Sequence, residues 1–194
     1  NEQSGRSMVE MLGVLAIIGV LSIGGISGYS KAMAKYRVNK TLDQISMLVM
    51  NVRSLFSSSV DYSGLSIGTA IQMGIIPGDM RIGDSTTEII NAYQGRVFLE
   101  TGNSGGANRS FIVQYTGLTQ EACVSIATAD WGSQAGSGLV SIGIASGTAK
   151  TTKATIGEDG TFKIEDMPIP LNEAAAKCSD DTDAAGNAVQ WEYY

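Results

Sequence analysis

The chain has 194 residues, enough for a single domain of ordinary size, and its net charge at pH 7 is −6. This acidity argues against a nucleic-acid-binding surface over the whole domain, and we predict no specific nucleic-acid partner. The sequence contains no histidine, which excludes histidine-dependent nucleophilic triads and most catalytic zinc sites. We therefore expect a protein that is not an enzyme and that holds no cofactor or metal.

A long apolar segment lies close to the N-terminus. It runs from Met11 to Ser30 without a charged residue, and one carboxylate, Glu10, immediately precedes it. As a helix with a rise of ~1.5 Å per residue, it would be about 30 Å long, which matches the hydrocarbon thickness of a bilayer. The segment is longer than the apolar core of a secretory signal, and no A-x-A pattern follows it. We predict a transmembrane helix that remains in the mature protein.

Two features of the sequence predict opposite sides of the membrane for the C-terminal part of the chain. Four basic residues follow the apolar segment and favour the cytoplasmic side: Lys31, Lys35, Arg37 and Lys40. The two cysteines, Cys123 and Cys178, favour one disulfide and hence an oxidising compartment, the alternative being two unrelated buried thiols. We give the cysteines more weight and place the bulk of the chain outside the cytoplasm.

The helical pattern continues beyond the apolar segment. From Val38 onward, apolar residues recur at intervals of three and four, which predicts an amphipathic helix. Together the two patterns predict one helix from about Met8 to Phe56, roughly 75 Å long.

Glycines interrupt the apolar half of this helix. Each lowers helix stability by about 1 kcal/mol relative to alanine. The helix is therefore expected to loosen at Gly24, Gly25 and Gly28. In the alternative interpretation, these small residues only permit close packing against neighbouring helices.

The rest of the sequence alternates turns with short helical and strand patterns. Helices are predicted at Ile67–Met73, Leu118–Ala127 and Leu171–Lys177, with Thr119 as an N-cap. Strands are predicted at Arg96–Leu99, Ser110–Tyr115, Leu139–Ile144, Thr161–Ile164 and Val189–Tyr193. The expected fold class is α+β, with the long N-terminal helix packed on a mainly antiparallel sheet.

Two stretches resemble a known family. The sequence Gly5-Arg6-Ser7-Met8-Val9-Glu10-Met11-Leu12, followed by the apolar helix, resembles the processing site and N-terminal segment of type IV pilins. The sequence Gly117-Leu118-Thr119-Gln120-Glu121-Ala122-Cys123 is similar to the segment around the first cysteine of type IVb pilins, the toxin-coregulated and plasmid thin-pilus kind. The resemblance implies the pilin fold and a subunit that polymerises through its N-terminal helix.

The resemblance also implies roles for particular residues. A prepilin peptidase would cut between Gly5 and Arg6, and Cys123 and Cys178 would bound a region exposed on the filament. An unpaired carboxylate costs about 2.5 to 3.5 kcal/mol at mid-membrane, so Glu10 should have a partner. The α-amine created at Arg6 of a neighbouring subunit is a suitable one and would fix the register between subunits. Alternatively, Glu10 lies in the headgroup region, where it is favoured by the helix dipole.

These observations predict a division of the chain and a function. The predicted parts are a leader remnant (1–5), a transmembrane and filament-core helix (6–30), its amphipathic continuation (31–57), and an α+β head (58–194) with a disulfide-bounded region (123–178). The predicted protein is a type IV pilus subunit that passes from the inner membrane into an extracellular homo-oligomeric filament, with the peptidase and assembly machinery as partners. The alternatives are a pseudopilin of a type II-like secretion system and a singly anchored periplasmic binding module. Adhesion, aggregation, conjugation and DNA uptake are not distinguished.

Overall fold

A computed structural model describes residues 8–132, 136–179 and 185–194. Its contacts divide the chain into two units, residues 1–37 and 38–194. Helix α1, Met8–Phe56, is continuous over 49 residues and confirms the predicted long helix. The apolar, low-charge composition of its first part and the amphipathic pattern of its second part both suit a helix.

Within the second unit, α1 buries one face. The buried positions recur at intervals of one, three and four residues, as expected for a helix that packs against a sheet: Thr41, Gln44, Ile45, Leu48, Val49 and Val52. Most of these side chains are aliphatic, and burying each one contributes about 1.5 to 3 kcal/mol.

The remaining elements in the described part of the chain are short. The helices are α2 (Ile67–Gln72), α3 (Gln120–Ala127) and α4 (Leu171–Lys177), with 3-10 helices at Gly78–Met80, Glu158–Gly160 and Ile164–Asp166. The strands are β1 (Ile89–Ile90), β2 (Arg96–Gly102), β3 (Ser110–Leu118), β4 (Leu139–Ala149), β5 (Thr161–Lys163) and β6 (Ala185–Tyr193).

The six strands form one antiparallel sheet in the order β1-β2-β3-β6-β4-β5. The last strand therefore lies between β3 and β4. Trp191 of β6 is opposite Val113 on one side and Ile142 on the other. The end of the chain thus joins the two halves of the sheet.

The hydrophobic core lies between α1 and one face of this sheet. Its three largest fully buried side chains are aromatic and come from β3 and β6, and Ile45 and Leu48 of α1 join them. Tyr115 and Trp191 meet edge to face with their ring centroids 6.0 Å apart. The helix on an antiparallel sheet confirms the predicted α+β fold class.

Part of the opposite face of the sheet is covered by the loop after β4. Gln114 of β3 is fully buried there, its Nε2 donates to the carbonyl of Ala154 (3.0 Å), and its Oε1 accepts from the Ala154 amide (2.7 Å). A buried amide needs such partners, so this pair of bonds fixes the loop on the sheet.

Several element ends differ from the sequence prediction. β3 extends to Leu118 and β4 to Ala149, because their ends pair with Asn187 and Ala185 of β6. β5 ends one residue earlier than predicted, since Ile164 begins a 3-10 helix. Strand ends depend on a partner strand that local sequence does not specify.

Helix α3 begins with the predicted N-cap. Thr119 has extended backbone angles, and its side chain accepts a hydrogen bond from the Ala122 amide (3.3 Å). We expect Thr119→Ala to lower the free energy of unfolding by about 1 kcal/mol, because this amide would lose its protein partner. Urea unfolding of the full chain in detergent would measure the loss. Thr119→Ser keeps the hydroxyl and should retain most of the stability; equal losses in both variants would contradict the capping role.

A polar contact attaches α1 to the 3-10 helix at Gly78–Met80. Lys40 Nζ lies 3.1 Å from Asp79 Oδ2, and Gln44 Nε2 donates to the same oxygen at 2.8 Å. Burial raises the pKa of Asp79, but the hydrogen bond from Gln44 and the bond and charge of Lys40 outweigh it, so the pKa lies below the ordinary 3.8. The ionised form is thus the one that the fold stabilises.

This shift makes a pH-dependent contribution to stability. Because the pKa of Asp79 is lower in the folded chain than in the unfolded chain, its stabilisation is present above pH ~4 and is lost as the pH falls through the folded value. We expect Asp79→Asn to reduce the loss of unfolding free energy between pH 5 and about pH 2. Urea titrations at several pH values would test this, with the exposed Asp43→Asn as control. An unchanged pH profile for Asp79→Asn would refute the assignment.

Candidate assembly surfaces

The first unit presents an uninterrupted apolar surface. α1 contains an 18-residue stretch that is long and apolar enough to cross a membrane, and none of that stretch is buried. The large apolar side chains in this first part of α1 are at least half exposed: Met8, Val9, Met11, Leu12, Val14, Leu15, Ile17, Ile18, Val20, Leu21, Ile23 and Ile26. An apolar surface of this extent needs lipid or protein around it.

Glu10 lies in the first turn of α1, at the start of this apolar surface, and is exposed. A negative charge there is favoured by the dipole at the helix N-terminus. Gly5 and Arg6, the predicted processing site and pairing partner, lie outside the described residues. The pairing of Glu10 with the α-amine at Arg6 therefore remains a prediction.

The glycines of the apolar half do not interrupt the helix. α1 continues through Gly24, Gly25 and Gly28, and a Cβ added at any of the three would meet no atom within 4 Å beyond the adjoining helix backbone and the two neighbouring residues. This open space is what close approach of another helix requires. The loosening of the helix at these glycines remains a prediction.

The two cysteines form the predicted disulfide. The Cys123–Cys178 bond has an S–S distance of 2.03 Å, both residues are fully buried, and the bond joins α3 to the residue after α4. The alternative of two separate thiols is wrong. The bond closes a segment of the chain that contains β4, β5 and α4.

This disulfide-bounded segment exposes charged side chains of both signs. Glu158, Asp159, Glu165 and Glu173 are exposed, and so are Lys153 and Lys163. Lys177 forms an ion pair with Asp159. Among the described residues, no group of three or more histidine, cysteine or acidic side chains is arranged to hold a metal ion.

One feature of the second unit was missed in the sequence. The guanidinium of Arg53 in α1 lies 4.9 Å from the centre of the Tyr193 ring. Burial raises the pKa of Tyr193 to about 12, although the positive charge of Arg53 opposes this rise. In the sequence, the signal for Arg53 is limited to its place among polar residues of an amphipathic helix. Its aromatic partner lies at the other end of the chain.

Comparisons with known proteins agree with this architecture. The sequence model of a family described as PilS N terminal matches residues 35–191. The crystal structure of a type IVb pilin from Salmonella typhi is similar, with a TM-score of 0.57, 22% identity, and coverage of 80% of this chain and 98% of that one. TcpA, a type IV pilin from the Vibrio cholerae El Tor biotype, gives a TM-score of 0.52, 14% identity, and coverage of 82% and 99%. A search of curated protein sequences finds no significant match.

A long, partly apolar helix on an antiparallel sheet, with a disulfide late in the chain, is the fold of type IV pilins. The chain belongs to the PilS N-terminal family, whose model covers most of its length.

Proposed function

We propose that the chain polymerises through the apolar half of α1 into a filament on the cell surface. The single observation that carries this proposal is the fully exposed apolar stretch that continues as one helix into a folded unit. About a dozen large apolar side chains cannot remain in water at 1.5 to 3 kcal/mol each. Lipid surrounds them before assembly, and the helices of other subunits surround them afterwards.

The hydrophobic effect does not favour helix–helix contacts over helix–lipid contacts, because lipid tails are as apolar as leucine. Association of the helices therefore needs another source of attraction. Close packing at the open glycine positions is one source of attraction. Pairing of Glu10 with the α-amine at Arg6 of a neighbour is the second, since it neutralises a carboxylate that is costly inside an apolar environment. Together they favour the helix bundle over the dispersed subunits and fix the axial register.

The proposed route from the membrane to the filament combines this chemistry with the resemblance of the N-terminal segment to type IV pilins. The chain begins in the inner membrane, and a prepilin peptidase cuts between Gly5 and Arg6. An assembly machinery then moves it into an extracellular homo-oligomeric filament. The disulfide supports this localisation, since such bonds persist in oxidising compartments. The role is structural rather than enzymatic.

Electron microscopy of cells that express the chain at its native level tests the proposal. Long surface fibres that bind a gold-labelled antibody against the head are expected, and a strain that lacks the chain should have none. Fibres that form only on overexpression would indicate a pseudopilin. The absence of any polymer would indicate a singly anchored protein and would overturn the proposal.

A further inference from the structure

Two tyrosines and two lysines lie where the apolar segment of α1 ends. Tyr29 is 66% exposed and Tyr36 is 58% exposed, and the exposed Lys31 and Lys35 lie between them in the sequence. All four belong to the first unit and to the continuous helix. We call these four residues the Tyr-Lys belt.

The helix carries no carboxylate that could neutralise these lysines. No Asp or Glu occurs between Glu10 and Asp43, so none lies three or four residues from Lys31 or Lys35. Neither lysine forms an ion pair with a carboxylate in the described ranges. Lys40, the next lysine along the helix, differs because it pairs with Asp79 of the head. Lys31 and Lys35 thus present their charges to an anion outside the chain.

The arrangement of the belt is that of a helix that crosses a membrane. The tyrosines are seven residues apart and the lysines four, so each pair shares one side of α1. At 3.6 residues per turn, the two pairs are rotated from each other by roughly 130°. A helix that lies flat on a membrane instead has its cations on one side and its apolar side chains on the other. Here the preceding segment exposes large apolar side chains on all sides.

The spacing between Glu10 and the belt matches the thickness of a bilayer. α1 is continuous from Glu10 to Lys31, a rise of about 32 Å, and the hydrocarbon core of a bilayer is about 30 Å thick. Lysines near the end of a span extend their ammonium groups to the headgroups, and tyrosines are enriched at the same level. With the belt in one headgroup layer, Glu10 reaches the other, and neither charge lies in hydrocarbon.

We propose that the Tyr-Lys belt binds anionic phospholipids while the chain is in the membrane. The ammonium groups of Lys31 and Lys35 contact lipid phosphates, and the net negative charge of an anionic headgroup favours it over a zwitterionic one. The rings of Tyr29 and Tyr36 lie at the boundary between headgroups and hydrocarbon. The inference rests on the membrane stage of the proposed function and adds to it the class of lipid that surrounds the subunit.

Native mass spectrometry of the full chain in detergent tests this preference. The protein is titrated with phosphatidylglycerol, which is anionic, or with phosphatidylcholine of the same acyl chains, which has no net charge. We expect phosphatidylglycerol to bind at least fivefold more tightly, because each lysine near an anionic surface contributes about fivefold. The double variant Lys31→Gln, Lys35→Gln should bind both lipids equally.

Two further double variants serve as controls. Lys153→Gln, Lys163→Gln removes the same number of charges from exposed lysines of the head and should keep the preference for phosphatidylglycerol. Lys31→Arg, Lys35→Arg retains both charges of the belt and should keep it as well.

The outcomes separate this inference from the proposed function. Equal binding of the two lipids by the wild-type chain, or a preference that survives Lys31→Gln, Lys35→Gln, overturns the lipid inference. Loss of the preference in either control also overturns it, as does displacement of phosphatidylglycerol by inorganic phosphate at the same concentration, which would indicate a site for free anions. Filament formation is measured independently by microscopy: wild-type cells without fibres overturn the proposed filament and leave a measured lipid preference standing.

Discussion

Glu10→Ala is expected to abolish filaments while the chain still inserts into the membrane. Removing a carboxylate makes the first turn of α1 more apolar, so insertion becomes easier. Assembly loses the pairing that fixes subunit register, and the α-amine of the neighbour is left without a partner in an apolar core. Loss of one partner from a buried charge pair costs about 3 to 5 kcal/mol, which is enough to reduce the filament yield more than a hundredfold.

Membrane fractionation and sheared-filament immunoblots would measure the two effects separately. Asp43→Ala is the matched control, because it removes an exposed carboxylate from the same helix outside the apolar segment. That variant should assemble normally. Normal filaments from Glu10→Ala would show that Glu10 acts only through the helix dipole or the headgroup region.

Loss of the disulfide is expected to have the largest effect on the stability of the head. The bond joins residues 55 positions apart, and on the chain-entropy model closing a loop of this length contributes about 4 kcal/mol. Small domains are stable by only about 5 to 15 kcal/mol, so this loss is a large part of the total. The double variant Cys123→Ala, Cys178→Ala should therefore unfold at much lower urea concentration.

Tryptophan fluorescence can follow this unfolding, because Trp191 is fully buried in the folded chain. Reduction of the wild-type protein provides the matched comparison, since it breaks the bond without a cavity. Both perturbations should lower the unfolding free energy by a similar amount. A loss below about 1 kcal/mol in both would contradict the stabilising role.

The sequence was informative where structure depends on local periodicity. The apolar run and the three-and-four spacing together predict α1, and its observed bounds, Met8–Phe56, agree with that prediction. α4 is also found at its predicted position, Leu171–Lys177. In each case the residues that decide the element lie within a few turns of one another.

Non-local pairing was not predictable in the same way. β1 has only two residues, Ile89 and Ile90, and exists because they pair with Val97 and Arg96 of β2. The position of β6 between β3 and β4 likewise depends on contacts between distant parts of the chain. Strand patterns indicate which residues face a core and do not specify the neighbouring strand.

The same difference between local and non-local signals applies to the candidate sites. Glu10 was apparent because a lone carboxylate beside an apolar run is expensive without a partner. Arg53 was not apparent, because its significance comes from the Tyr193 ring, which is distant in sequence and close in the fold. A cation on an amphipathic helix is otherwise an ordinary solvent-exposed residue.

The central claim is that the apolar half of α1 forms the core of a filament. A helical reconstruction of sheared filaments at side-chain resolution tests it most directly. We predict that α1 helices of many copies pack together at the axis, with Glu10 of each copy beside the N-terminus of a neighbour. Filaments whose core is built from the sheets of the heads, with the apolar helices outside, would contradict the account.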